Sequence, residues 1–131
     1  MTDFAAARRH MVDGQVRTAD VTDLRIIGAM QKIPRERFVP AAEAGIAYLD
    51  LDVPAGEGGR RMLKPMVLAK LIHAADIADT DRVLDVGCAT GYGAAVLADL
   101  AAEVVALEED AKLAKTAKTN LAGTAKVSVV T

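Results

Sequence analysis

The residues best placed to do chemistry lie between positions 83 and 108. There Val83-Leu84-Asp85-Val86-Gly87-Cys88-Ala89-Thr90-Gly91-Tyr92 leads into a small apolar helix and then Val104-Val105-Ala106-Leu107-Glu108. Gly87 and Gly91 let the main chain turn sharply and come close to a ligand. A helix opening near Gly91 leaves its first N–H groups without intrahelical partners, and such an end attracts anions. Glu108 stands 21 residues beyond Gly87, at the end of the next strand, where a carboxylate can hold ribose hydroxyls. The pattern reads as a βαβ unit built around a nucleotide-like ligand.

Two residues narrow the ligand. A dinucleotide fingerprint needs G-x-G-x-x-G, but Ala89 takes the middle position, so a pyrophosphate would find a poorer cradle. Asp85 would also face a pyrophosphate with like charge. It suits instead a ligand carrying an ammonium group, such as the methionine end of S-adenosylmethionine. The methyl donor is therefore favoured over NAD. An ordinary βαβ turn would explain one glycine by geometry alone, but not the aspartate, the second glycine and the spaced glutamate together.

The elements that must position these residues follow from the pattern. Strands at 82–87, 103–108 and 126–130 alternate with helices at 91–101 and 110–122, which is βαβαβ, half of a doubly wound sheet. Right-handed crossovers place the strands in parallel in the order 3-2-1, with their C-terminal ends forming the ligand edge. In the second helix Asp110 is the cap and Gly123 the stop; Leu113, Ala114, Ala117 and Leu121 face the sheet, and Lys112, Lys115 and Lys118 face water. Upstream, 4–17 and 21–32 read as helices with Asp3 and Asp20 as caps. Met11, Val12 and Val16 line the first, and Leu24, Ile27 and Met30 the second. Pro34 ends that section, and 34–40 is a short helical turn between prolines. Four glycines, Gly45, Gly56, Gly58 and Gly59, make 45–63 mainly loop. Pro65 opens a helix running to about Ala78 with Val67, Leu68, Leu71, Ile72 and Ala75 as its apolar face.

The chain thus divides into N-terminal helices with a glycine-rich loop (1–64) and the first half of a cofactor-binding domain (65–131). A doubly wound domain would continue past Thr131. The first strand stands at the sheet edge, to be covered by the N-terminal helices or a partner chain, or left open to aggregation.

Composition sets the outer limits. With 52% apolar but only 3% aromatic residues and no tryptophan, the core must be built from aliphatic side chains and alanine. Sixteen basic and eighteen acidic groups are interspersed, giving a net charge of −2 that implies no nucleic-acid partner. The N-terminus lacks the basic start and apolar run of a secretory signal, and apolar stretches such as Ala94 to Ala98 are far too short to span a membrane, so a cytoplasmic location is expected. Cys88 is the single cysteine and His10 and His73 the only histidines, so neither a disulfide framework nor a metal cluster is expected. Cys88 reads as a small residue packed beside the ligand rather than a nucleophile, His73 as a solvated side chain, and Tyr48 as a packing residue.

The cofactor unit together with residues well beyond it supports a family. Met11-Val12 with Gln15-Val16, Ala29-Met30, Ile33-Pro34-Arg35-Glu36 before Phe38-Val39-Pro40, Ala47-Tyr48 with Asp50, the glycine-rich 56–59 and Val83 to Tyr92 together resemble the N-terminal portion of the protein-L-isoaspartate O-methyltransferase family. That resemblance implies a three-layer α/β, Rossmann-like class I methyltransferase fold and S-adenosylmethionine as cofactor. It implies an isoaspartyl-containing protein, or another acidic acceptor, as the methylated partner. By position, Gly87, Cys88, Ala89, Thr90, Gly91 and Tyr92 line the cofactor, Glu108 holds its ribose and Asp85 lies near its amine.

The departure from the family lies just upstream. The family pattern is a glycine-rich loop followed by Thr-Ile-Ser, any residue, then Pro, and its serine helps position the acceptor carboxylate. Here the segment is Arg61-Met62-Leu63-Lys64-Pro65, so Leu63 takes the serine position and the catalytic residue is unassigned. Arg60, Arg61 and Lys64 read as a solvated loop in preference to an acceptor site, to which they could otherwise supply positive charge for an acidic acceptor. The expectation is a methyltransferase in its full-length form, with the 131 residues alone inactive. The alternative is a cofactor-binding or protein-interaction module that has kept the fold and lost catalysis.

Overall fold

The computed structural model describes residues 2–131. The chain opens with α1 (Phe4–Met11), whose N-terminus is capped by Asp3 accepting from the Ala6 N–H at 3.0 Å. It continues through a π-helical turn (Val12–Val16) and a 3-10 turn (Arg17–Ala19), burying Met11, Val12 and Val16 as expected. Asp20 does not cap the next helix. It takes a left-handed conformation (φ 61°) that ends the first helical run, and Asp23 caps α2 (Leu24–Lys32) by accepting from the Arg25 N–H. This later start turns Leu24 outward to 74% exposure, and Ile26, Ile27, Ala29 and Met30 form the buried side.

Two 3-10 turns (Arg35–Phe38 and Ala41–Ile46) carry the chain past the prolines. Tyr48 packs this segment down: its hydroxyl donates to Glu36, and Arg8 of α1 donates to the Tyr48 hydroxyl at 2.8 Å and to Glu36 at 3.2 Å. Burial and the Glu36 carboxylate push the Tyr48 hydroxyl up to about 12, which keeps it a donor at any physiological pH.

The glycine-rich stretch is more ordered than a loop. Short strands β1 (Val53–Pro54) and β2 (Arg61–Met62) pair antiparallel, and the Ala55 N–H donates to the Arg60 carbonyl at 2.9 Å. Gly58 (φ 82°) and Gly59 (φ 78°) turn the hairpin tip through a region other residues rarely enter. Pro65 then opens α3 (Pro65–Ala75), which stops at a left-handed Asp76 rather than near Ala78. Its buried residues are Pro65, Ala69 and Ile72; Leu71 is 57% exposed and Ala75 is exposed too, so the expected apolar face is displaced.

The second half matches the expected βαβαβ order: β3 (Arg82–Val86), α4 (Tyr92–Ala98), β4 (Glu103–Leu107), α5 (Ala111–Asn120) and β5 (Val127–Val130). The strands are parallel in the order β3-β4-β5, with Asp85 beside Ala106 and Leu107 beside Val130. β4 is central and its Val104 and Ala106 are fully covered. α4 is alanine-rich, with Ala94, Ala95 and Ala98 buried, which lets it pack closely between the sheet and α2. α5 is capped by Asp110 and buries Leu113, Ala114 and Ala117 while its lysines stay exposed. The outer edge of β3 pairs with no strand among the described residues, and Leu84 and Val86 leave one face of the strand exposed.

Candidate functional site

The C-terminal ends of β3 and β4 lie side by side, so Asp85 and Glu108 come to one edge of the sheet. After β3 the chain turns at Gly87 (φ 74°), and the N–H groups of Gly87 and Cys88 both donate to the Leu107 carbonyl, at 2.8 and 3.0 Å. Those two bonds tie the turn to the end of β4. Gly91 (φ 97°) begins α4, and a Cβ there would meet Leu121 Cδ1 at 2.7 Å. Glycine is required at 91 by close packing as well as by conformation. Ala89 stands at φ 50°, a left-handed conformation that costs an alanine about 1 kcal/mol and that glycine would adopt freely.

Glu108 explains why Ala89 stays there. Its carboxylate is 0% exposed and accepts four hydrogen bonds. Oε1 takes Arg60 Nη2 at 2.6 Å and the Ala89 N–H at 2.8 Å; Oε2 takes Arg60 Nη1 at 2.9 Å and the Asp110 N–H at 2.9 Å. The Arg60 guanidinium, aided by the two main-chain donors, holds this carboxyl down at about 2. Arg60 is thus not a simple solvated side chain; its partner at the end of β4 lies 48 residues away, and no spacing in the sequence signals the pair.

Asp85 has the opposite surroundings. Among the described residues no hydrogen bond or ion pair reaches its carboxylate, and burial, with the nearby negative charge of Glu108, pushes it up to about 6. It borders a cavity of about 400 Å³ that Gly87, Cys88, Ala89, Tyr92 and Gly93 line on one side and Met62, Leu63, Leu68 and Leu71 on the other. That volume lies within the roughly 300–1,000 Å³ usual for small-molecule sites. A larger hollow of about 820 Å³ sits against the C-terminal ends of α4 and α5 and holds none of the sequence-predicted residues.

The structure therefore brings Asp85, Gly87, Cys88, Ala89 and Tyr92 to one cavity and leaves Thr90, Gly91 and Glu108 out of its wall. The Thr90 hydroxyl donates to the Phe38 carbonyl at 2.6 Å, and its own carbonyl accepts from Asn120, so it ties the turn to the N-terminal segment. Glu108 lies beneath Arg60. The Cys88 thiol is buried and pushed up to about 11 by burial and by Asp85 and Glu108, so it stays protonated and is a poor nucleophile.

Leu63 is held from behind by a residue the sequence left without a role. Arg35 is fully buried; it donates from Nε to the Ala47 carbonyl at 2.6 Å and from Nη2 to the Leu63 carbonyl at 2.9 Å. Its guanidinium stacks over the Tyr92 ring at 4.7 Å, and Tyr92 in turn meets Phe38 edge-on with centroids 5.5 Å apart. Burial lowers the pKa of Arg35 from its usual value. One arginine thus links the segment between the prolines, the loop before α3 and the first turn of α4. Its only sequence signal was its place between Pro34 and Glu36.

A parallel half-sheet with a tight glycine turn after its first strand and an acid just past the end of its second defines a Rossmann-like fold of the class I methyltransferase type. A solved protein-L-isoaspartate O-methyltransferase superposes on 94% of this chain and 41% of its own with a TM-score of 0.81 at 26% identity. A Plasmodium falciparum chain assigned as a protein-L-isoaspartate O-methyltransferase, solved in complex with S-adenosyl-L-homocysteine, shares the fold (TM-score 0.74, 17% identity, 99% of this chain and 63% of that one). The family model for protein-L-isoaspartate(D-aspartate) O-methyltransferase matches residues 6–131, and the Koribacter versatilis protein-L-isoaspartate O-methyltransferase is 42% identical over 135 residues, covering 100% of this chain and 60% of its own. The chain belongs to the protein-L-isoaspartate O-methyltransferase family. It spans about half the length of the curated relatives it matches, up to the 60% of the Koribacter protein.

Proposed function

We propose that the protein binds S-adenosylmethionine at the C-terminal edge of β3 and β4 and serves methyl transfer to a carboxylate, as an isoaspartyl-type O-methyltransferase acting in the cytoplasm. The observation that carries this reading is Asp85, a carboxylate with no partner among the described residues, at the wall of a cavity of about 400 Å³ beside the Gly87 turn. An ammonium group fits it, because a bound cation compensates the desolvation that now raises its pKa. When bound, S-adenosylmethionine supplies an electrophilic methyl group on a sulfonium.

The chain's own residues meet the remaining requirements. Asp85 orients the amine, and Gly87 keeps the main chain free of a Cβ beside the cavity. Met62, Leu63, Leu68 and Leu71 give the cavity an apolar lining. An acceptor that is already a carboxylate needs alignment rather than a base. No acid–base residue is therefore required here, and the protonated Cys88 thiol does not compete for the methyl group. Leu63 supplies no hydroxyl at the position where the family pattern has serine, so the acceptor is an isoaspartyl protein held by other contacts or a different acidic group. No helix among the described residues is long and apolar enough to cross a membrane.

The test is transfer of labelled methyl from S-adenosylmethionine to an isoaspartyl peptide by the full-length protein, beside its Leu63→Ser variant. Transfer that rises in the variant supports the reading. Absence of S-adenosylhomocysteine binding by either protein contradicts it. Binding without transfer to any carboxylate acceptor, in both proteins, points to the non-catalytic module.

A further inference from the structure

We propose that Arg60 is a built-in competitor for the ribose site, so that the cofactor binds only as this guanidinium leaves Glu108. The proposal rests on the cofactor assignment above. An ionised carboxylate offers about four acceptor positions, and Glu108 has four donors on it: two from Arg60, one from Ala89 and one from Asp110. No acceptor position is left for a ribose hydroxyl while all four hold. The two N–H donors belong to the main chain of the turn and of the α5 cap, and they cannot withdraw without unravelling both.

Arg60 can withdraw. Its side chain is 35% exposed, and it follows directly on Gly58 and Gly59 at the tip of the β1–β2 hairpin. Nη2 also reaches the Gly87 carbonyl at 3.4 Å, and a Cβ on Gly87 would meet that nitrogen at 3.6 Å. The guanidinium therefore lies across the glycine turn as well as over the acid, on the path a ligand must take between them. Ribose hydroxyls donate to a carboxylate just as the guanidinium does, so the two exclude each other at the same oxygens. The hairpin then acts as a strap whose release accompanies cofactor entry.

Calorimetric titration of the full-length protein with S-adenosylhomocysteine, and with adenosine, tests this in wild type, Arg60→Gln and Arg60→Lys. Removing an internal competitor raises apparent affinity by the fraction of open form gained, about tenfold for a partly exposed pair. The gain appears in Arg60→Gln for both ligands and vanishes with 2′,3′-dideoxyadenosine, which lacks the competing hydroxyls. Arg60→Lys, which keeps the charge without the two-pronged contact, falls between. A merely structural ion pair gives the opposite sign, since breaking it loosens the site and weakens binding. Equal or weaker binding by Arg60→Gln overturns the proposal and leaves the cofactor assignment standing; loss of binding in all three proteins overturns both.

Discussion

Asp85 and Glu108 are two carboxylates at neighbouring strand ends, yet one is saturated and the other has no partner among the described residues. Glu108 is buried under four hydrogen bonds and held at about 2. Asp85 is desolvated and pushed up to about 6. The two main-chain donors on the first hold the turn together and Arg60 fills its remaining acceptor positions, while the second keeps an unmet demand for positive charge. An acid saturated by an internal partner must exchange that partner for a ligand, as Glu108 must exchange Arg60, whereas an acid without one meets its ligand directly.

The largest effect should come from breaking the saturated member. Glu108→Ala strands the Ala89 and Asp110 N–H groups and frees Arg60, for an expected loss of about 3 kcal/mol at neutral pH, measured by urea unfolding. The pH dependence has a definite sign. The Glu108 carboxyl is depressed below its ordinary 4.5, so its stabilisation is fully present above that value and lost as pH falls towards about 2. An acid unfolding midpoint unchanged in Glu108→Gln would remove this carboxylate from the account.

Asp85 should behave as the mirror image. Its carboxyl is raised from 3.8 to about 6, so the folded state holds an extra proton between those values and stability falls as pH rises through them. Asp85→Asn should therefore gain about 1–2 kcal/mol at pH 7.5 and almost nothing near pH 4, read from thermal unfolding at both. Equal effects at the two pH values would mean that Asp85 is not desolvated.

The smallest effect concerns the residue that links the two ends. Ala89→Gly relieves the left-handed strain but adds freedom to the unfolded chain, so its stability should stay within about 0.5 kcal/mol of wild type. Ala94→Gly, inside α4, should cost about 1 kcal/mol by the same assay.

Much of this arrangement was legible in the sequence because it depends on local periodicity. The βαβαβ order, the Asp110 cap and the buried set Leu113, Ala114 and Ala117 all follow from spacing along single elements. Helix starts were less legible: Asp20 and Asp23 are both acceptable caps by type, and only the left-handed turn at Asp20 decides between them. The apolar face of α3 was misplaced because Leu71 lines an open cavity rather than the core. The Arg60–Glu108 contact joins residues 48 apart across a hairpin that the glycines alone could only mark as loop. Arg35 was hidden for the same reason, since its partners, Ala47 and Leu63, are main-chain carbonyls and leave no side-chain signature.

The most direct test of the contrast is calorimetric titration of S-adenosylhomocysteine into wild type and Asp85→Asn at pH 5 and pH 7.5. Ionisation of Asp85 through about 6 should raise wild-type affinity about tenfold across that range, with weak and pH-independent binding in the variant. Equal affinity in the two proteins at pH 7.5 would contradict the assignment of Asp85 as the ligand's acid.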